Sequence, residues 1–105
     1  MATRAIHTDE PDPHHVHTRD DGKVDKEVVT ISGSAGEQVT WFSDNGGTVL
    51  FKAPEGSPFE NDKFPIPAGG SVSSGPARPN AEHRDYKYTV VGKTGVYDPK
   101  VIINP

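Results

Sequence analysis

The sequence predicts an all-β protein, a Greek-key antiparallel β-sandwich, and three observations support this fold class. Val and Ile provide 16 of the 21 Val, Ile, Leu and Phe residues, and these β-branched side chains favour strands. Gly and Pro together number 21, which fits short strands joined by tight turns. Apolar and polar residues alternate in several short runs, and no window shows helical spacing.

Length, charge and cysteine content narrow the function classes. The 105 residues, 31% of them apolar, suffice for one small soluble domain with one modest core. The net charge of −4 includes no basic stripe, so we expect neither nucleic acid nor an anionic membrane as a partner. The absence of cysteine excludes disulfides and thiolate chemistry. No apolar secretory signal opens the sequence, which predicts a cytoplasmic location unless a signal peptide was removed.

The apolar residues are distributed unevenly along the chain. Residues 1–23 hold only Ile6 and Val16 of the Val, Ile, Leu and Phe set, together with four of the five histidines. We therefore expect residues 1–23 to be a polar His- and Asp-rich arm, and residues 24–105 to form the sandwich.

The first half of the predicted sandwich contains two hairpins. Apolar alternation predicts a strand over 24–32, and residues 14–19 are its candidate edge partner across an Asp-Asp-Gly turn. Residues 37–43 place Val39 and Trp41 on one face, which predicts a second strand. The run 48–52 is the expected returning strand of that hairpin.

The second half begins with an irregular stretch, residues 53–69, that contains four prolines. Its Phe59 and Phe64 form a candidate docking patch if they are exposed; if buried, they seal one end of the core. Further strands are predicted at 71–74, 86–90 and 100–104.

Five short motifs follow one another in a distinctive order. They are Gly36-Glu37-Gln38-Val39-Thr40-Trp41, Gly47-Thr48-Val49, Pro67-Ala68-Gly69-Gly70-Ser71, Tyr86-Lys87-Tyr88 and Val101-Ile102-Ile103. In this order they resemble the cupredoxins over residues 24–105. The resemblance implies a Greek-key sandwich, which in many members of that family holds a mononuclear blue copper for electron transfer. A generic immunoglobulin-like or fibronectin-like sandwich is the alternative.

The type 1 copper ligands of that family are missing from this chain. Gly47 stands where the resemblance places the first histidine, and Val90 stands where it places the cysteine. The loop 91–99 offers neither His nor Met, and Met1 is the one methionine of the chain. The sequence therefore predicts a cupredoxin-like domain without its copper site, which excludes electron transfer by that route.

The histidines of the arm are the candidate metal site. His14, His15 and His17 lie close in sequence, and His15 and His17 share one face if the segment is extended. His7 and Asp12 are candidate additional ligands for a labile Zn, Cu or Ni ion. The alternative is a solvated arm, because no spacing here matches a structural zinc motif.

No catalytic motif stands out in the sequence. His83 between Glu82 and Asp85 is a weak candidate for proton transfer, and a solvated loop is the better interpretation. We therefore expect no enzyme and no catalytic residues. The sequence favours a non-enzymatic protein-binding or assembly module that uses an edge strand or the 53–69 loop, with a protein partner or self-association. The alternative is metal binding or delivery by the histidine cluster.

Overall fold

A computed structural model of the chain describes residues 14–52 and 56–105. These residues form ten short strands and no helix, and so none that could cross a membrane; the predicted all-β class is confirmed. The strands are β1 (His15–Thr18), β2 (Val28–Ser32), β3 (Thr40–Ser43), β4 (Gly47–Leu50), β5 (Lys63–Ile66), β6 (Gly70–Ser73), β7 (Asp85–Lys87), β8 (Thr89–Val91), β9 (Val96–Tyr97) and β10 (Lys100–Asn104).

The first layer of the sandwich is a three-stranded sheet in the order β1-β3-β6. β1 runs parallel to β3 and β6 runs antiparallel to it, so Val16, Trp41 and Val72 lie side by side across the sheet. Val16 and Trp41 are fully buried, whereas His17 and Phe42 in the next row lie on the opposite face. This alternation gives the sheet one apolar inner face and one outer face.

The second layer is built around one long hairpin. β8 pairs with β9 and β7 pairs with β10 in a single continuous register, with Val90 opposite Tyr97 and Tyr86 opposite Val101. Between the two ladders the Tyr88 amide donates to the Pro99 carbonyl at 3.0 Å. Pro99 has no N–H to return that bond, which interrupts the ladder at this point. β4 and β5 extend the layer on one side, and β2 extends it on the other.

Aromatic side chains fill the space between the two layers. The Trp41 ring lies 5.3 Å from that of Phe64 and 5.5 Å from that of Tyr88, measured between centroids. Phe51 packs on the same Tyr88 ring at 5.3 Å. These edge-on and tilted contacts are the arrangements that aromatic rings prefer in protein cores.

The predicted hairpin of residues 37–43 and 48–52 is wrong. β3 pairs with β1 and β6, whereas β4 pairs with β5 and β8 in the other layer. Trp41 on β3 and Val49 on β4 are both fully buried, and they contact one core from opposite sheets. The turn between the strands therefore crosses from one layer to the other, as connections in Greek-key sandwiches do.

The predicted pairing of residues 14–19 with 24–32 is correct only beside the turn, where Thr18 and Val24 form an antiparallel bridge and the Asp25 amide donates to the His17 carbonyl at 3.1 Å. Farther along, β2 pairs with β10 instead, and the strand beside β1 is β3, which runs parallel to it. Val16 is fully buried in the core. The sandwich therefore includes β1, which lies within the segment that the sequence assigned to a polar arm.

The remaining strand predictions agree with the structure. β6 occupies the predicted 71–74 region, β7 and β8 occupy 86–90, and β10 occupies 100–104. The stretch 53–69, predicted to be irregular, contains β5; this strand was not predicted because Pro65 lies within it.

Candidate functional site

Three loops meet at the end of the sandwich that carries Gly47 and Val90. They are the turn 19–22, the β3–β4 connection 44–46 and the β8–β9 loop 92–95. The Thr94 amide donates to the Asp20 carbonyl at 2.8 Å. The Asn45 side-chain amide donates to both carboxylate oxygens of Asp20, at 3.0 and 3.1 Å. The turn 19–22 is thus bonded to both of the other loops.

Two glycines allow this close packing. Gly22 has a φ of +87°, and a Cβ there would lie 2.7 Å from the Val90 carbonyl oxygen. A Cβ on Gly92 would overlap the Asp20 carbonyl oxygen. The turn therefore sits directly on the backbone of the β8–β9 hairpin, where a side chain would displace it.

This end of the sandwich does not fit a type 1 copper ion. Val90 is fully buried between Val49 and Tyr97 on the neighbouring strands, and it offers no donor atom. A Cβ on Gly47 would lie 3.0 Å from the Val91 carbonyl oxygen, so an imidazole there would require the backbone to shift. The chain has no cysteine at all. The thiolate and imidazole donors of such a site are therefore missing, and the turn 19–22 packs over the hairpin that carries Val90.

The arrangement of strands matches solved cupredoxins. A reduced Cu(I) form of an amicyanin mutant at pH 4 aligns with a TM-score of 0.56 and 15% identity, covering 92% of this chain and 88% of that one. The oxidized form of another amicyanin mutant gives 0.57 at 15% identity with coverages of 92% and 88%. A purple cupredoxin from Nitrosopumilus maritimus gives 0.55 at 15% identity, covering 84% of this chain and 98% of that one. This chain has the cupredoxin fold.

The similarity of this chain to known proteins was found in the comparison of structures and not in the comparisons of sequence. No family model matches the chain, and no curated protein matches it. At 15% identity the fold is shared, while the chemistry depends on this chain's own residues.

The structure separates the three histidines of the candidate metal site. His15 and His17 lie on the outer face of β1, as predicted, on either side of Phe42, at ring distances of 5.1 and 4.9 Å. His14 Nε2 instead lies 3.5 Å from a carboxylate oxygen of Glu37. Within residues 14–52 and 56–105, no three His, Cys, Asp or Glu side chains are placed to hold one ion.

Two further candidate ligands cannot be placed. His7 and Asp12 lie outside the described residues. Among the described candidates, His15 and His17 are the two that share the outer face of β1.

The outer edge of β1 is closed by the segment 23–26, which folds back along it. The His17 amide donates to the Asp25 carboxylate at 2.9 Å, and the His17 carbonyl accepts the Asp25 amide at 3.1 Å. The Lys26 ammonium donates to the His15 carbonyl. The His17 amide and carbonyl and the His15 carbonyl are therefore engaged and not offered to another strand.

The outer edge of β2 is different. The Lys100 amide donates to the Glu27 carbonyl, and the Gly33 amide donates to the Asn104 carbonyl, so the odd-numbered residues of this segment bond to β10. In a parallel ladder the backbone groups of Val28 and Thr30 then point away from the sheet. No strand in the described part of the chain pairs with that edge.

The open stretch of the β2 edge is short and partly apolar. At its far end the Ser32 amide donates to a Glu37 carboxylate oxygen at 2.6 Å, and the Ser32 carbonyl accepts the Glu37 amide. The Val28 side chain is 47% exposed. The edge therefore offers the amides and carbonyls of Val28 and Thr30, beside an exposed apolar side chain.

Two other outer strands, β5 and β6, are less suited to a partner. The Phe51 amide donates to the Asp62 carbonyl, so the backbone of Pro65 faces outward on β5 and supplies no N–H there. On β6 the outward backbone groups belong to Ser71 and Ser73, whose side chains are small and polar. Neither edge carries an exposed side chain as large and apolar as Val28.

The structure corrects the expected docking patch at Phe59 and Phe64. Both side chains are buried, with 1% and 3% of their surface exposed. Each ring contacts Phe51, and the two rings contact each other edge-on at 6.2 Å. They form part of the core, because β5 and the Phe59–Ala77 bridge fold this stretch down onto the sheets.

The carboxylates beside His83 bond to basic side chains. The Glu82 carboxylate accepts the Arg84 Nε at 3.0 Å, and the Asp85 carboxylate accepts the Lys100 ammonium at 3.3 Å. The bond from Lys100 holds the pKa of Asp85 below its usual value. This arrangement positions neither carboxylate as a proton-transfer partner of His83.

Sequence reasoning missed two features of this molecule. The open β2 edge depends on which residues face β10, and a period-2 pattern does not reveal that pairing. The Asn45–Asp20 contact joins residues 25 positions apart. The Asn45-Gly46 pair can be read from the sequence, but the contact of Asn45 with Asp20 cannot.

Proposed function

We propose that this protein is a non-enzymatic protein-binding or assembly module that adds an extended segment of a partner to the open edge of β2. The carrying observation is the set of outward backbone groups on Val28 and Thr30, next to the exposed Val28 side chain. Such an edge supplies a donor and an acceptor on alternate residues, which is what strand addition requires.

The side chains beside this edge describe the partner. On the outer face, Val28 lies opposite Lys100 and Thr30 lies opposite Ile102. A partner strand would place an apolar or β-branched side chain over Val28, since such cross-strand pairs stabilise sheets. The partner is another protein or a second copy of this chain, and the location expected from the sequence, the cytoplasm, stays a prediction.

The substitution Val28→Lys tests this proposal, because a lysine on an edge strand opposes pairing. Its matched control is Val96→Lys, since Val96 is the other large exposed apolar residue in the part of the chain that the structure describes, and it lies on β9 at 64% exposure. Both variants should keep their stability within about 0.5 kcal/mol.

The measurement compares capture from the source cell and mass by light scattering for the three proteins. We expect the wild type and Val96→Lys to capture the partner or to self-associate. Val28→Lys should do neither. Equal capture and equal mass in all three would show that the β2 edge is not the binding surface.

A second candidate function is metal binding by the β1 histidines. The favouring observation is that His15 and His17 lie two residues apart on one outer face. Two neutral imidazoles in that arrangement suit a borderline ion such as Cu(II), Zn(II) or Ni(II).

Point substitutions in the full chain test this second function, because removing residues 1–22 would remove β1 from the core. His15→Gln and His17→Gln should each weaken Cu(II), Zn(II) or Ni(II) binding in a calorimetric titration. His14→Gln is the control, because its imidazole lies against Glu37. Unchanged affinity in all three variants would exclude this pair as the ligand set.

A further inference from the structure

The β3–β4 connection contains an exposed asparagine followed by glycine. The chain has four asparagines, and Asn45 is the one that precedes a glycine; Asn61, Asn80 and Asn104 precede Asp, Ala and Pro. Gly46 has a φ of +89° and no Cβ, so the approach to its backbone nitrogen is unhindered. Asn45 thus combines exposure with the smallest possible following residue.

The Asn45 side chain also holds two parts of the protein together. Its amide donates to both carboxylate oxygens of Asp20, whose own carbonyl accepts the Thr94 amide. Asp20 belongs to the turn 19–22, and Thr94 belongs to the β8–β9 loop. We call this three-residue contact, Asn45–Asp20–Thr94, the clasp.

We propose that Asn45 is a site of spontaneous deamidation, and that this modification opens the clasp. The backbone nitrogen of Gly46 attacks the Asn45 Cγ and forms an N–C bond. The bond from Cγ to Nδ2 breaks, and ammonia leaves with the proton from the Gly46 amide. Water then opens the resulting succinimide, giving aspartate or isoaspartate, and no oxidant or reductant takes part.

The new carboxylate changes the charge balance around the clasp. The amide donor that now faces Asp20 becomes an anion at hydrogen-bond distance from another anion. Asp20, Asp21 and Asp44 already line one open cleft of about 540 Å³ at this end, with Arg19 as its cation. Two like charges at such a separation repel each other, and salt weakens that repulsion.

Peptide mapping of the folded, full-length protein tests the chemistry. After incubation at mildly alkaline pH, we expect aspartate and isoaspartate at position 45, while Asn61, Asn80 and Asn104 stay intact. The substitution Asp20→Ala should accelerate the reaction, because it releases the Asn45 side chain. Conversion at Asn45 no faster than at Asn61 would overturn the proposal.

Hydrogen exchange tests the structural consequence. Asn45→Asp imitates one product, and Asn45→Ala removes the contact without adding charge. We expect exchange of the Thr94 amide to rise roughly tenfold in Asn45→Asp, the factor for loss of a charge-assisted hydrogen bond. The increase in the exchange rate should be smaller in Asn45→Ala. High salt should reduce the difference in Thr94 exchange rate between the two variants, because it weakens the charge repulsion. Wild-type protection in Asn45→Asp would show that deamidation leaves the clasp closed.

Discussion

The outer edges of β1 and β2 differ in how far neighbouring residues cover their backbone groups. The β1 edge is covered by the segment 23–26, whose Asp25 and Lys26 bond directly to the β1 backbone. At the β2 edge such cover is confined to Ser32, whose amide donates to a Glu37 carboxylate oxygen, and no strand of the described chain lies beside Val28 and Thr30 on the side away from β10. Among the described residues, one edge is thus covered by a neighbouring segment, while Val28 and Thr30 at the other edge have no strand on their outer side.

The two edges are connected through one core. Val16 on β1 and Val29 on β2 are both buried, and Trp41 lies beside Val16 on the neighbouring strand. A change in the core should therefore affect both edges together, whereas a change in a closing side chain should affect one edge. The predictions below use this distinction, in order of decreasing effect.

The substitution Trp41→Ala should destabilise the fold by about 3 to 5 kcal/mol, because it removes a fully buried aromatic from the centre of the core. It also takes away the indole N–H that donates to the Tyr88 hydroxyl at 3.2 Å. Burial raises the pKa of that hydroxyl, so the site favours neutral Tyr88. Denaturant unfolding measures the loss, and amides of β1 and β2 should lose protection in parallel.

Phe42→Ala is the matched control for this prediction. Phe42 is the next residue on β3, but its side chain faces outward between His15 and His17. We expect a smaller loss of stability than for Trp41→Ala. An equal loss in both variants would mean that Trp41 has no special role in the core.

The substitution Asp25→Ala should act on the β1 edge alone. It removes the acceptor of the His17 amide, at a cost of about 1 kcal/mol. Hydrogen exchange at the His17 amide should accelerate, while β2 amides keep their protection. Asp25→Asn is the control, because it keeps an acceptor oxygen at the same position.

Self-association provides a second measurement on these variants. Opening the β1 edge should raise the apparent mass of Asp25→Ala in concentrated solution, since an uncovered edge can pair. If the apparent mass and the protection of the His17 amide both stay at wild-type values, the Asp25 side chain does not prevent pairing at the β1 edge.

The contrast between the edges also shows what the sequence could predict. Period-2 runs such as Val28–Ile31 and Tyr86–Val90 identified strands and their inner faces, because burial on one side imposes that period. Pairing was not predictable in the same way. Residues 37–43 and 48–52 resemble a hairpin locally, yet Trp41 and Val49 belong to opposite layers. Which strand lies beside another is decided by the long-range core, and that decision also determines which edge stays open.

The candidate site was predictable to a similar extent. The loss of copper ligands at Gly47 and Val90 could be stated from the sequence, because a missing donor atom is a local fact. The burial of Phe59 and Phe64 could not, because it depends on how residues 56–66 fold onto the sheets. The division of the three histidines between two sides of β1 follows from alternation once β1 is known to be a strand.

The substitution Asp85→Asn should have the smallest effect, and it concerns the layer that contains β2, in which β10 lies between β2 and β7. The hydrogen bond from Lys100, the residue opposite Val28, lowers the pKa of Asp85 in the folded protein. The stability it provides is therefore present above the unfolded pKa of about 3.9 and is lost as the pH falls through the lower folded value. Denaturant unfolding across acid pH should show that the wild type is slightly more stable than Asp85→Asn above this window and loses that extra stability within it. High salt should remove the difference in stability at all pH values, because the Asp85–Lys100 pair is exposed. An effect of Asp85→Asn as large as that of Asp25→Ala would contradict this order, since it would mean that an exposed ion pair between β7 and β10 stabilises the fold as strongly as a hydrogen bond to the β1 backbone.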